Sequence, residues 1–219
     1  MRVSAILFDL DGTLVNTEPC ALTAMIACFR EWGLEFPLED SARVMGRTWK
    51  AVFAELKQEH EIPVSVDEAC VVATKHYLTI LQDELVIIPG SRSAVCALAK
   101  VWPLGLVTGS TREEIKYVGE RLGILDQFKV ILSAEEYVCS KPAPEGFLKA
   151  ADLLGVAPAE VLVFEDSPSG IESARAAGMK VVAVGADDRS QSNNSSVLTT
   201  IPDMQMVDVE FIRALESEY

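Results

Sequence analysis

From Pro89-Gly90 onward the sequence alternates short apolar runs with amphipathic segments, and this alternation limits the fold more than any other feature. PLGLVTG predicts a strand at 104–107, TREEIKYVGERLG a helix, KVILS a strand and PEGFLKAADLLG a helix. EVLVFED, SGIESARAAG and KVVAVG continue the order as strand, helix and strand. Such a chain builds βαβ crossovers and therefore a parallel sheet. VSAILF at 3–8 is a further apolar run, a buried strand that Asp11-Gly12 ends in a turn. Between Thr17 and about Leu85 the period changes to three and four residues, through AMIACFREWGL, WKAVFAELKQ and ATKHYLTILQDEL. The architecture predicted is an open α/β sheet interrupted after its first strand by a helical insert. Residues 190–203, polar and turn-rich, are predicted to be a surface loop ahead of a last helix near 208–216.

Bulk properties narrow the functions open to such a fold. With 33 acidic against 19 basic residues the net charge is −14, which repels phosphate backbones and points away from nucleic acid toward a small substrate. An anionic substrate must then find positive charge in a few local groups and a metal. The apolar N-terminal run is cut by Asp9 and Asp11 before it reaches signal-peptide length, and no stretch approaches the roughly 18 apolar residues of a membrane span. A cytoplasmic protein without membrane contact is expected. Five scattered cysteines, with no CxxC pair, read as reduced thiols used mostly for packing.

In open parallel sheets ligands bind beyond the carboxyl ends of the strands, so each strand end is read for chemistry. The first ends Asp9-Leu10-Asp11-Gly12-Thr13, where residues two apart on an extended segment point the same way. Two carboxylates so placed need a cation or a shared proton, although the same residues also suit a plain turn. The next ends Thr108-Gly109-Ser110-Thr111 at a helix start, which offers an anion site or an ordinary N-cap. Lys141, stiffened by Pro142 and Pro144, is a fixed ammonium suited to phosphate, or else a solvated surface lysine. Glu165-Asp166 ends a further strand, and Asp166 with Asp9 could hold one hard cation. Mg²⁺ fits oxygen ligands best, while His60 and His76 make no zinc set and read as surface residues of the insert.

Together these four strand ends resemble, in order and spacing, the haloacid dehalogenase superfamily. DLDGTLV matches its first motif, Thr108 in LVTGS its second, Lys141 in SKPAPEGF its third, and FEDSPSGIESARAAGM its fourth. The resemblance spans nearly the whole chain. It implies a Rossmann-like α/β core of residues 1–16 and 87–219, with residues 17–86 as a four-helix cap domain similar to that of the β-phosphoglucomutase-like branch. It further implies that Asp9 is the nucleophile and Asp11 the general acid and base, with Thr108 and Lys141 holding the phosphoryl group. Leu10, Gly109 and Ser110 would complete the phosphate cradle. Mg²⁺ would be held by Asp9, the backbone carbonyl of Asp11, and Asp166, with Glu165 in support.

The activity implied is a phosphatase acting on a small phosphate ester through an aspartyl-phosphate, as a monomer or weak dimer. Dehalogenases lack the second aspartate, here Asp11, and no cap lysine of the phosphonate-cleaving kind is matched. In mutase-type caps a lysine before the cap-loop glycine and an arginine three positions after it grip a second phosphate. Around Gly46 this chain has Met45 and Trp49 instead, so a substrate with one phosphate is expected, though Arg47 and Lys50 could substitute. The stretch VMGRTWKAVF looks similar to caps of sugar-phosphate and pseudouridine-phosphate phosphatases, which places specificity on Gly46, Arg47, Thr48 and Trp49. Trp49 either stacks on substrate or packs. Asn16 replaces an aspartate often seen in DGTLVDTE. The competing readings are a phosphosugar mutase and a non-catalytic regulator that binds a phosphorylated ligand.

Overall fold

The computed structural model describes residues 1–44, 47–185 and 196–219. Along the chain run β1 (Ala5–Phe8), β2 (Val15–Asn16), α1 (Glu18–Glu31), α2 (Ser41–Val44), α3 (Trp49–Glu59), α4 (Val66–Glu84), β3 (Val86–Ile87), α5 (Ser91–Leu98) and β4 (Leu104–Val107). There follow α6 (Arg112–Leu122), β5 (Phe128–Leu132), α7 (Glu145–Leu154), β6 (Val161–Glu165), α8 (Pro168–Ala176), β7 (Lys180–Val184), β8 (Val197–Ile201) and α9 (Val209–Glu218). Six strands form one parallel sheet in the order β5-β4-β1-β6-β7-β8. The chain builds outward from β1 in one direction, then crosses back and builds in the other. The crevice at which ligands bind in such sheets therefore lies at the carboxyl end of β1.

β1 is buried on both faces, as its unbroken apolar run requires. Its side chains alternate: Ile6 and Phe8 enter one apolar cluster, and Ala5 and Leu7 another, beneath α7 and α8. Phe8 stacks on Phe164 of the paired strand β6 with ring centroids 5.0 Å apart. The first cluster does not stop at the sheet. Leu10 and Leu14 carry it into the insert, where Met25, Phe29, Phe53 and Leu81 continue it.

The insert forms because its apolar residues fall on helical stripes. In α4 the buried positions are Ala69, Ala73, Tyr77 and Leu81, one every four residues, and Ser65 with Glu68 closes a capping box at its start. α1 packs along α4, and α3 packs on it as well. Among the described residues 17–85 hold no strand, in line with the sequence. Two short strands flank the insert instead: β2 and β3 pair antiparallel, joining Val15 to Ile87 and Asn16 to Val86. Asn16 is exposed there and serves this ribbon.

One expectation needs correction. Residues 197–201 are not loop but the sixth sheet strand, because Val197, Leu198 and Ile201 turn apolar side chains inward beside β7; residues 190–195 of that predicted loop lie outside the described residues. The cysteines are mostly packing groups, as expected: Cys20 and Cys28 are buried and Cys70 packs against the core, while Cys96 and Cys139 are exposed. Phe164→Ala is expected to cost about 3–5 kcal/mol, the usual range for a fully buried aromatic. Urea denaturation measures it, and a loss below about 1 kcal/mol would contradict the packing described.

Candidate active site

Lys141 is no surface lysine. Its side chain is 3% exposed, and its Nζ donates to Asp9 Oδ1 and to Glu165 Oε1, each at 2.5 Å. Glu165, on the last residue of β6, also accepts from the backbone N–H and hydroxyl of Ser167, the N-cap of α8. Gly170 leaves the room: a Cβ there would stand 1.7 Å from Glu165 Oε1. Glu165 thus anchors the ammonium, and the ammonium meets the carboxylate at the end of β1. Burial raises the Asp9 carboxyl above its ordinary value, against the pull of Lys141, while Glu165 and Asp11 push it further up. Burial works to lower Lys141, but Asp9 and Glu165 overcome it and hold the ammonium charged.

Asp11 faces the other way along the cleft. Its carboxylate accepts from four hydroxyls: Thr17 at 2.6 Å, Tyr77 at 3.0 Å, Thr108 at 3.0 Å and Ser110 at 2.6 Å. Thr108 sits at the carboxyl end of β4, its carbonyl taken by Tyr137 at 2.6 Å and its hydroxyl receiving the Ser110 N–H at 3.0 Å. Asp166 lies against the turn after β1. Thr13 donates to its Oδ1 at 2.8 Å, and a Cβ on Gly12, whose φ is +87°, would fall 2.1 Å from Oδ2. Leu10 is buried, its carbonyl accepting from Leu14 and Val15 to close that turn.

The donors gathered here, Asp9, Asp11, Asp166 and Glu165, are all oxygen, and one ammonium faces several carboxylates. That chemistry fits a hard divalent cation such as Mg²⁺. Among the described residues, the three side chains whose ligating atoms lie within 4.8 Å of one another are elsewhere: Asp40, Glu59 and His60 in the insert. Arg43 already bonds both carboxylates at 3.0 Å, which accounts for that cluster. His60 and His76 are half-buried rather than plain surface residues, each paired to a carboxylate.

The insert roofs the cleft and leaves a cavity of about 370 Å³ that reaches Asp9, Asp11, Thr108, Gly109 and Ser110. Its other walls are Pro19, Leu22, Val44, Arg47, Trp49 and Tyr77. Gly109 permits the close approach, since a Cβ on it would lie 2.8 Å from the backbone carbon of Arg47. Arg47 gives both terminal nitrogens to Glu55, at 2.8 and 2.5 Å, and its Nε is buried without a hydrogen-bond partner among the described residues. Thr48 caps α3 through Ala51 N. Lys50 is exposed and pairs with Asp67 at 3.5 Å, away from the cavity. Gly46 and Met45 lie outside the described residues. Trp49 packs edge-on against Tyr77 and donates its Nε1–H to Glu114 at 2.7 Å.

Sequence reading missed Tyr77 and Glu114. Tyr77 was visible as the one hydroxyl-bearing residue of a four-residue apolar stripe in α4. Glu114 was visible as the fourth residue of Thr111-x-x-Glu114, a capping-box signature. Neither pattern shows that the residue also faces a second element.

The family model described as haloacid dehalogenase-like hydrolase matches residues 6–184. The chain belongs to that family. It is 33% identical to a probable pseudouridine-5'-phosphatase of Drosophila melanogaster, covering 93% of this chain and 92% of that protein. It is 30% identical to fructose-1-phosphate phosphatase YqaB of Escherichia coli, over 84% and 97% respectively. In fold it is similar to the crystal structure of β-phosphoglucomutase from Clostridium difficile, with a TM-score of 0.85, 22% identity, and coverage of 99% and 98%.

Two measurements probe the electrostatics of this haloacid dehalogenase-like hydrolase. Lys141→Met leaves Asp9 and Glu165 buried without their ammonium, and about 3–5 kcal/mol of stability is expected to go, measured with a chelator present. A loss under about 1 kcal/mol would contradict the pairing. Glu114 supplies a pH test. Burial pushes its carboxyl from 4.5 to about 7, against the hydrogen bonds of Trp49 and Thr111 and with some help from Asp11. Folding therefore takes up a proton here; the contribution is full below pH 4.5 and lost as pH rises through 7. The stability of the native chain relative to Glu114→Gln should fall across that window, and a flat difference would contradict the shift.

Proposed function

We propose that this hydrolase is a phosphomonoesterase that forms an aspartyl-phosphate on Asp9. The observation that carries the reading is the buried Lys141 ammonium, fixed by Glu165 and set 2.5 Å from the Asp9 carboxylate. A carboxylate attacks an anionic phosphate only where positive charge offsets their repulsion. Asp9 attacks phosphorus, and Lys141 with the Thr108 hydroxyl and the amides of the Leu10–Asp11 and Gly109–Ser110 segments holds the phosphoryl oxygens. Asp11 gives its proton to the departing alkoxide, then takes one from the water that cleaves the aspartyl-phosphate. Thr17, Tyr77 and Ser110 hold that carboxyl in place between the two steps, while Thr108 turns its one hydroxyl proton from Asp11 to the phosphoryl group. Asp9, the Asp11 carbonyl and Asp166, supported by Glu165, would hold Mg²⁺, which when bound supplies charge neutralisation for nucleophile and phosphate.

The substrate we infer is a sugar phosphate or nucleotide-like monophosphate. In support, the related proteins named above are a pseudouridine-5'-phosphatase and a fructose-1-phosphate phosphatase. A mutase needs a grip on a second phosphate, whereas Arg47 is engaged by Glu55 and Lys50 by Asp67. The division we propose is a core of 1–16 and 87–219 and a cap of 17–86, opening on hinges near 14–18 and 85–90. The enzyme is read as a cytoplasmic monomer or weak dimer; no described helix is long and apolar enough to cross a membrane.

Phosphate release from a panel of sugar and nucleoside monophosphates tests the reading. Turnover is expected only with Mg²⁺ present, and Asp9→Asn should lower kcat by at least about 10³-fold. Turnover retained in Asp9→Asn sinks the nucleophile assignment. Isomerised hexose phosphate in place of inorganic phosphate would instead favour the mutase.

A further inference from the structure

Two helices run side by side across the boundary between sheet and insert. Glu114 and Arg121, two turns apart on α6, meet residues of α4 that are likewise about two turns apart. The Thr74 hydroxyl donates to Glu114 Oε1 at 3.3 Å, and Arg121 Nη1 donates to the carbonyls of Leu81 and Gln82 at 3.2 and 3.0 Å. The two contacts sit toward opposite ends of the seam between α4 and α6. Leu81 and Gln82 are a few residues from the β2–β3 ribbon, whereas Glu114 lies at the cavity, beside Trp49. A rotation about the ribbon moves the Arg121 end least and the Glu114 end most.

Glu114 also receives the Trp49 Nε1–H on Oε1 and the Thr111 N–H on Oε2, at 2.7 and 2.6 Å, while 1% exposed. A buried carboxylate is a costly way to join two helices, and apolar side chains of similar volume would hold them as well. What a carboxylate adds is direction, because it fixes where each donor sits.

We infer that Glu114 is a positioning residue that docks the closed cap over the active site. It acts through Trp49 and Thr74, and the seat it gives the Trp49 ring sets one wall of the substrate cavity. The inference deepens the phosphatase reading and rests on it for its kinetic part alone. Substrate enters when Trp49 and Thr74 leave Glu114, and re-forming those bonds returns Trp49 to the wall above Asp11. Gly109 is the matching steric element, admitting the Arg47–Thr48 backbone once the cap is down.

Glu114→Gln tests this, because an amide has one acceptor oxygen and cannot take Trp49 Nε1–H and Thr111 N–H at both ends. Hydrogen exchange without any substrate is the first readout. Amides of 47–53 are expected to exchange about tenfold faster, with those of β1 and β4 unchanged. Thr111→Ala removes the hydroxyl cap of α6 but keeps the Glu114 carboxylate, and should leave exchange in 47–53 unaltered. With a monophosphate substrate, KM should rise about tenfold in Glu114→Gln while kcat changes less than about threefold. Trp49→Phe should do the same, and the double variant should do no worse than either. Unchanged exchange in 47–53 overturns the proposal, as does a rise spread equally over β1 and β4 or an effect reproduced by Thr111→Ala. The exchange arm needs no turnover, so a chain that releases no phosphate refutes the phosphatase reading and leaves the docking result to stand or fall separately.

Discussion

One buried ammonium sets the conditions that the rest of the site must meet. Lys141 is almost fully removed from water, and its charge is tolerable only because Asp9 and Glu165 both reach it. Those carboxylates in turn are tolerable only because it is there. The arrangement brings the ends of β1 and β6 together with the segment ahead of α7, so the charge cluster and the parallel sheet specify each other. It also explains several small residues nearby. Gly170 must lack a side chain so that Glu165 can turn to its lysine, and Gly12 must lack one so that Asp166 can lie against the turn after β1.

The strand order places this cluster without further help. β1 lies at the centre of the sheet with β4 on one side and β6 on the other, so motifs more than a hundred residues apart in sequence open into one crevice. The two sides then divide the work. The β6 side carries acidic groups and the lysine they fix, and the β4 side carries hydroxyls that hold Asp11. The helical insert covers the space above, largely with aromatic and aliphatic side chains.

Much of this was legible in the sequence, for a physical reason. βαβ alternation has two periods that a short window separates, and strand ends are marked by the residue types that do chemistry there. The sheet, the insert and the placing of Asp9, Asp11, Thr108 and Asp166 at strand ends followed from that, whereas Lys141, nine residues past its strand, read equally as a surface lysine and was joined to the others only by the family resemblance. What escaped depends on partners far away in the chain. The strand at 197–201 is short, holds two threonines and follows a polar tract, and it becomes a strand only because β7 offers an edge. Tyr77 reads as a core residue and Glu114 as a helix cap, and both are those things. Each also makes a bond across the boundary, to Asp11 and to Trp49, that no local pattern encodes. Trp49 itself turned out to be packed and cavity-lining at once.

The short ribbon of β2 and β3 has a consequence for how such a protein can change over time. It brings Asn16 and Val86 together, so the sheet sees the long helical excursion between them as little more than a turn. Loop-closure entropy grows only logarithmically with length, and doubling that excursion would cost the core about 0.6 kcal/mol. The chain can therefore rebuild its roof, and with it the walls of the cavity, at almost no expense to the sheet that holds Asp9 and Lys141. The charged floor and the walls above it are free to diverge at different rates within one polypeptide.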